Sequence, residues 1–142
     1  MKYIFILLAL LISPIINAAE LSNLSPKDIQ SKTTKNALII DIRTPQEWQK
    51  TGIIPNSQPL TFFDKNGNYD TKKWLTHVKK LQSSPNQAII LVCQSGNRSG
   101  RVGHLLAEKL NMPNIYHLST GMSSWVKKQL PTEKACSALH TC

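Results

Sequence analysis

Short runs of branched apolar residues, alternating with helix-forming stretches, constrain this chain more than any other feature. "ALIIDI" (37–42) and "AIILV" (88–92) are nearly or wholly apolar and lack a polar face, as expected of strands buried on both sides. Ser25, Pro26 and Asp28 supply a capping side chain, a proline at the first helical position and an acid near the helix's positive end. Thr44-Pro45-Gln46-Glu47 repeats that signature and predicts a short helix to about Lys50, stopping near Gly52. Trp74, Leu75, Val78 and Leu81 fall on one face of a third helix. Val102, Leu105, Leu106 and Leu110 do the same in a fourth that begins near Ser99. "NIYHL" gives a last strand, "GMSSWVKKQL" a last helix, and a brief strand is expected about Leu60. Such alternation predicts βαβ units, hence an α/β fold in three layers: about five mostly parallel strands with helices on both faces.

The chain's 142 residues suffice for one hydrophobic core. Its start combines Lys2, an apolar run from Tyr3 to Ile12, the breaker Pro14 and the small residues Ala18 and Ala19. That is the pattern of a secretory signal peptide, with an apolar run short for a membrane span. We therefore expect a leader over 1–18, one domain over 19–131 and a tail over 132–142. The expected location is periplasmic or secreted, with no membrane attachment after cleavage. Lysine and arginine number 17 against 8 acidic residues, a net charge of +9 that steers small anions. Pairs such as Lys72-Lys73, Lys79-Lys80 and Lys127-Lys128 sit on helix faces without interleaved aromatics, so no nucleic acid partner is expected. His77, His104, His117 and His140 are scattered and no C-x-x-C occurs, so neither a metal nor a cofactor is expected.

The chemistry concentrates in "ILVCQSGNRSGRV" (90–102). In an open parallel sheet, ligands bind at the carboxyl ends of the strands, where Cys93 stands. Gln94, Ser95, Gly96, Asn97, Arg98 and Ser99 lead from that strand into the next helix. A loop of this kind points backbone N–H groups and a helix's positive end at one centre, and Arg98 adds a full charge nearby. Negative charge on the sulfur, or on a substrate or cysteine adduct, is favoured there. A buried inert thiol is the plainer alternative, but a strand end needs no donor-rich, glycine-containing, basic loop. Cys136 and Cys142 lie six apart, so they can pair with each other and leave Cys93 free, or one of them can pair with Cys93. Arg101, one turn further on, faces either the mouth of the site or solvent. Asp41 and Arg43 end a neighbouring strand and read as a structural ion pair that braces the site. Trp48, Trp74 and Trp125 read as core aromatics.

Three stretches in order resemble the rhodanese-like sulfurtransferases, in particular their single-domain exported members: D-I-R-T-P-Q-E-W (41–48), C-Q-S-G-N-R-S (93–99) and L-S-T-G-M-S-S-W (118–125). The resemblance covers about Ser25 to Pro131. It implies that Cys93 takes a sulfane sulfur from thiosulfate or a similar anionic donor, holds it as a persulfide and passes it to a thiophilic acceptor such as cyanide or a thiol. Gly52-Ile53-Ile54-Pro55-Asn56-Ser57 departs from that family's usual glycine, histidine, aliphatic, proline, glycine, alanine, and Thr120 stands where a glycine is common. A cysteine phosphatase or arsenate reductase uses the same cradle with a C-x5-R loop that wraps three phosphoryl oxygens. Here the arginine comes one residue early, at Arg98. A non-catalytic or thiol-redox binding module, with a thiol protein as partner, is the alternative from a different class.

Overall fold

The computed structural model describes residues 18–33 and 36–135. Five strands form one sheet: β1 (Ser22–Leu24), β2 (Leu38–Asp41), β3 (Gln58–Pro59), β4 (Ile89–Val92) and β5 (Ile115–Leu118). Their order is β1-β5-β4-β2-β3 and every pairing is parallel. The helices are α1 (Pro26–Thr33), α2 (Pro45–Thr51), α3 (Thr71–Leu81), α4 (Asn97–His104) and α5 (Gly121–Lys127).

The doubly apolar runs explain the layers. Along β2 and β4, alternate residues point to opposite faces. Leu38, Ile40, Ile89, Leu91 and Cys93 pack with Trp74 and Val78 of α3 and Val102 of α4. Ile39, Ile90 and Val92 pack on the other face with Ile29 of α1 and Met122 and Trp125 of α5. Each fully buried leucine or isoleucine contributes about 1.5–3 kcal/mol, more than the roughly 1 kcal/mol of a helix cap. The two apolar faces therefore hold the fold, and the caps set where the helices start. Thr44 caps α2 in a complete capping box with Glu47, and Asp70 caps α3 by accepting from the Lys73 N–H.

Three features differ from the pattern expected of the sequence. β1 precedes Ser25, where no strand is expected: it is a three-residue edge strand with an apolar residue only at Leu24. α4 begins at Asn97 rather than Ser99 and continues as one π-helical turn over Leu105–Lys109, which keeps Leu106 and Ala107 buried. The first tail residues also pack on the domain. Ile53 and Glu133 exchange backbone hydrogen bonds of 2.9 Å, and Ala135 joins Trp48 and Ile53 in a small apolar cluster. No helix among the described residues is long and apolar enough to cross a membrane.

The order places the chemistry. β2 leads to β3 on one side, and β4 leads to β5 on the other, so the winding reverses between β2 and β4. In open parallel sheets such a reversal, at the carboxyl ends of the strands, is where ligands bind. Asp41 pairs in register with Val92, so Arg43 and Gln94 leave the sheet side by side.

Candidate active site

Cys93 directly follows β4 and has no exposed surface. Its Sγ accepts from the backbone N–H of Gly96 at 3.2 Å and of Ser99 at 3.3 Å. Asn97 and Arg98 open α4, so the helix supplies no partner for their N–H groups. Two expected donors thus reach the sulfur itself, and the rest of the loop lies around it.

Close packing shapes that loop. Gly96 has φ +93°, and a Cβ there would lie 1.9 Å from the Ser119 carbonyl oxygen. Gly121, at φ +62°, would place a Cβ 2.4 Å from the Gln94 carbonyl oxygen. Both contacts exclude a side chain. The close approach lets α5 hold the loop: Met122 N–H donates to the Cys93 carbonyl at 2.8 Å and Ser123 N–H to the Gln94 carbonyl at 3.0 Å. Ser95, in the loop, and Asn97, the first residue of α4, are exposed, and neither side chain hydrogen-bonds the sulfur.

The charged residues are paired among themselves. Asp41 and Arg43 are wholly buried and joined by a bidentate bridge, Nε to Oδ1 at 2.9 Å and Nη2 to Oδ2 at 2.7 Å. Arg43 also donates to Thr51 Oγ1 at 2.8 Å, to the Gly52 carbonyl at 2.8 Å and to Gln94 Oε1 at 3.2 Å. It thereby ties β2 and α2 to the cysteine loop. Arg98 turns both terminal nitrogens to Glu47, with Nη1 3.0 Å from Oε2. Burial pushes the Glu47 carboxyl up, but the hydrogen bonds from Arg98 and Thr44 outweigh it and hold it at about 2. Glu47 also holds the Arg98 guanidinium firmly charged. Arg98 is thus anchored on α2 and contributes to the sulfur's surroundings as a nearby field. Arg101 is exposed, its guanidinium 5.3 Å from the Phe63 ring centre.

A second polar cluster, Ser99, His117 and Asn23, lies beneath the sulfur, and of these the cysteine motif marks Ser99 alone. Ser99 Oγ is 3.3 Å from Sγ, 3.1 Å from the Gly96 carbonyl and 3.1 Å from His117 Nδ1. His117 Nε2 is 2.7 Å from Asn23 Oδ1. His117 pairs in register with Leu91, two residues before Cys93, which puts its ring on the α4 face of the sheet. Gly100 leaves room for that ring, since a Cβ would lie 3.3 Å from His117 Cε1. Burial, with some repulsion from His104, lowers the imidazole's affinity for a proton, opposed by the Gly96 carbonyl. The signal in the sequence is parity: His117 is the polar member of a strand otherwise made for burial.

Cys136 and Cys142 lie outside the described residues, and Cys93 is a free thiol. Among the described residues, no group of three or more histidine, cysteine and acidic side chains is arranged to hold a metal ion.

Comparison with known proteins finds relatives in sequence and in fold. An uncharacterised protein of Rickettsia prowazekii is 26% identical over 104 residues, covering 68% of this chain and 82% of its own. A rhodanese domain-containing protein of Drosophila melanogaster is 29% identical over 93 residues, covering 64% of this chain and 83% of its own. Among solved structures, the polysulfide-sulfur transferase homodimer of Wolinella succinogenes superposes with a TM-score of 0.60 at 23% identity, over 80% of this chain and 78% of that one. A Rhodopseudomonas palustris protein of unknown function, described as a possible tyrosine phosphatase, gives 0.58 at 20% identity, over 80% and 85%. These structural likenesses establish the fold. The model of the rhodanese-like domain matches residues 25–128, from α1 to α5 with four of the five strands, and with the cysteine loop at the strand reversal it makes this chain a member of the rhodanese-like family.

Proposed function

We propose that the protein is a sulfurtransferase that moves a sulfane sulfur from thiosulfate, or a related small anion, to a thiophilic acceptor. The observation that carries this reading is the fully buried Cys93 sulfur under two backbone N–H donors. The thiolate attacks the outer sulfur of thiosulfate. A Cys93 S–S bond forms, the donor's S–S bond breaks, and sulfite leaves with the electron pair. Cyanide or a thiolate then attacks the terminal sulfur, and the Cys93 thiolate is restored. Burial favours this over phosphoryl transfer, because a single terminal sulfur is slim whereas a phosphoryl group brings three oxygens that need a longer loop. The protein of Wolinella succinogenes, described as a polysulfide-sulfur transferase, supports the same class of substrate.

The test is mass spectrometry after incubation with thiosulfate, together with thiocyanate formation from cyanide. Wild type gains one sulfur atom on the Cys93 peptide, and Cys93→Ser loses both the adduct and the turnover. An adduct that survives this substitution refutes the assignment. Export after cleavage at Ala18 belongs to the same proposal, as does a link between Cys136 and Cys142 that leaves Cys93 free. Non-reducing peptide mapping of the natively exported protein decides both, and a native link to Cys93 would favour a thiol-redox module instead.

A further inference from the structure

The side chains of Asn23, His117 and Ser99 have no part in the reaction as written, yet they come from β1, β5 and α4 and form a chain of hydrogen-bond contacts that ends on the Cys93 sulfur, just past β4. Asn23 Oδ1 only accepts, so His117 Nε2 carries a proton and donates to it, leaving Nδ1 as an acceptor. The hydroxyl of Ser99 has one proton and three acceptors within reach: the Gly96 carbonyl, His117 Nδ1 and the sulfur. With His117 neutral and Cys93 protonated, the chain closes in one direction, with S–H donating to Ser99 Oγ and Ser99 O–H to Nδ1. In that state the hydroxyl points away from the sulfur and stabilises the thiol. A thiolate needs the opposite arrangement.

We propose that His117 is a positioning residue that draws the Cys93 proton through the Ser99 hydroxyl and so turns that hydroxyl toward the thiolate. The proposal rests on Cys93 being the nucleophile. In the step, the S–H bond breaks as an O–H bond forms on Ser99, and the original Ser99 O–H bond breaks as an N–H bond forms on Nδ1. The products are a thiolate that accepts from Ser99 and an imidazolium that donates to Ser99 Oγ from Nδ1 and to Asn23 from Nε2. Each proton moves one place, and the net charge of the relay stays zero. Burial penalises an imidazolium formed with a proton from bulk water; here the anion made in the same step lies one hydroxyl away. The other titratable group acting on the ring is His104 of α4, which is paired at its own Nδ1 with Glu108 Oε1. The neutral groups acting on the ring besides Ser99 are Asn23 of β1 and the Gly96 carbonyl, which favours its protonated form.

The thiolate's ultraviolet absorbance, taken as the difference between the whole chain and its Cys93→Ser variant, reads the step without requiring a reagent to reach the sulfur. The two tail cysteines cancel in that difference. In His117→Asn, the thiolate signal near neutral pH falls roughly tenfold and returns at higher pH, while the alkaline plateau is unchanged. Ser99→Ala moves the curve the same way, the double variant moves it no further, and Ser99→Thr, which keeps the hydroxyl, restores it. Asn23→Leu keeps the imidazole but frees its tautomer and gives a smaller shift in the same direction, which keeps the test available if His117→Asn does not fold. A curve that stays in place in folded His117→Asn or Asn23→Leu, or a pH-independent loss of amplitude, overturns the relay. Persulfide formation from thiosulfate is measured in parallel. Sulfur uptake without the shift refutes the relay alone, and the shift without sulfur uptake refutes the sulfurtransferase reading alone.

Discussion

Two polar clusters flank the cysteine loop and solve the problem of burial in opposite ways. On the β2 side, Asp41 and Arg43 carry full charges with no exposed surface, and Arg98 and Glu47 form a second, half-buried pair. On the β5 side, Ser99, His117 and Asn23 are joined by hydrogen bonds among neutral groups. The charged side is closed: the Arg43 guanidinium contacts Asp41, Thr51, Gly52 and Gln94. The neutral side is open-ended, because Ser99 has more acceptors than protons. One cluster fixes geometry and the other can rearrange without moving a heavy atom. A site that forms and discharges an anion needs both.

Breaking the charged side has the largest expected effect. Arg43→Met leaves Asp41 buried without its partner and should lower unfolding stability by about 3–5 kcal/mol in urea titrations. Combining it with Asp41→Leu removes the uncompensated charge and should recover most of that loss. Sulfur transfer should stay low in the double variant, because Gln94 has still lost its anchor on Arg43. Full recovery of both stability and turnover would mean that the pair has no bracing role.

Breaking the neutral side costs less. Ser99→Ala removes a hydroxyl from a buried site and leaves His117 Nδ1 without a donor, a loss of about 1–2 kcal/mol. The stability change should be smaller than for Arg43→Met, while the change in thiolate signal should be larger. The reverse ranking would erase the distinction between a rigid side and a rearrangeable one.

How much of this is legible in the sequence follows from what each part depends on. β2, β4, the helix faces and the cysteine loop are local patterns: apolar runs, i to i+4 spacing and a glycine between small polar residues. β1 is not, because Ser22–Leu24 becomes a strand only by adding to the edge of β5. The Asp41–Arg43 pair is legible because its members lie two apart. The Arg98–Glu47 pair joins residues 51 apart, and its cause is the strand order that places α2 beside the start of α4. His117 looks scattered among four histidines until the register sets it beside Leu91. Its partners, 18 and 94 residues away, become neighbours only in the folded sheet.

Acid titration gives the smallest effects and separates the two sides by pH. His117 is held below its ordinary value of 6.5, so between the two values the unfolded chain binds a proton that the folded chain does not. Its contribution to stability is whole above about 6.5 and declines as pH falls below it. Glu47 is lowered from 4.5 to about 2, so its contribution is whole above 4.5 and is lost as pH falls from there through about 2. For a half-buried pair such as Arg98–Glu47 the total is about 1 kcal/mol once solvent screening is counted. Wild type should therefore lose stability in two windows, one below 6.5 and one below 4.5, over the general acid loss of the other carboxylates. His117→Asn should flatten the upper window alone and Glu47→Gln the lower alone, measured as midpoint denaturant concentration against pH. If either substitution flattens both windows, the two clusters titrate as one unit, and the charged side is not the fixed frame its geometry describes.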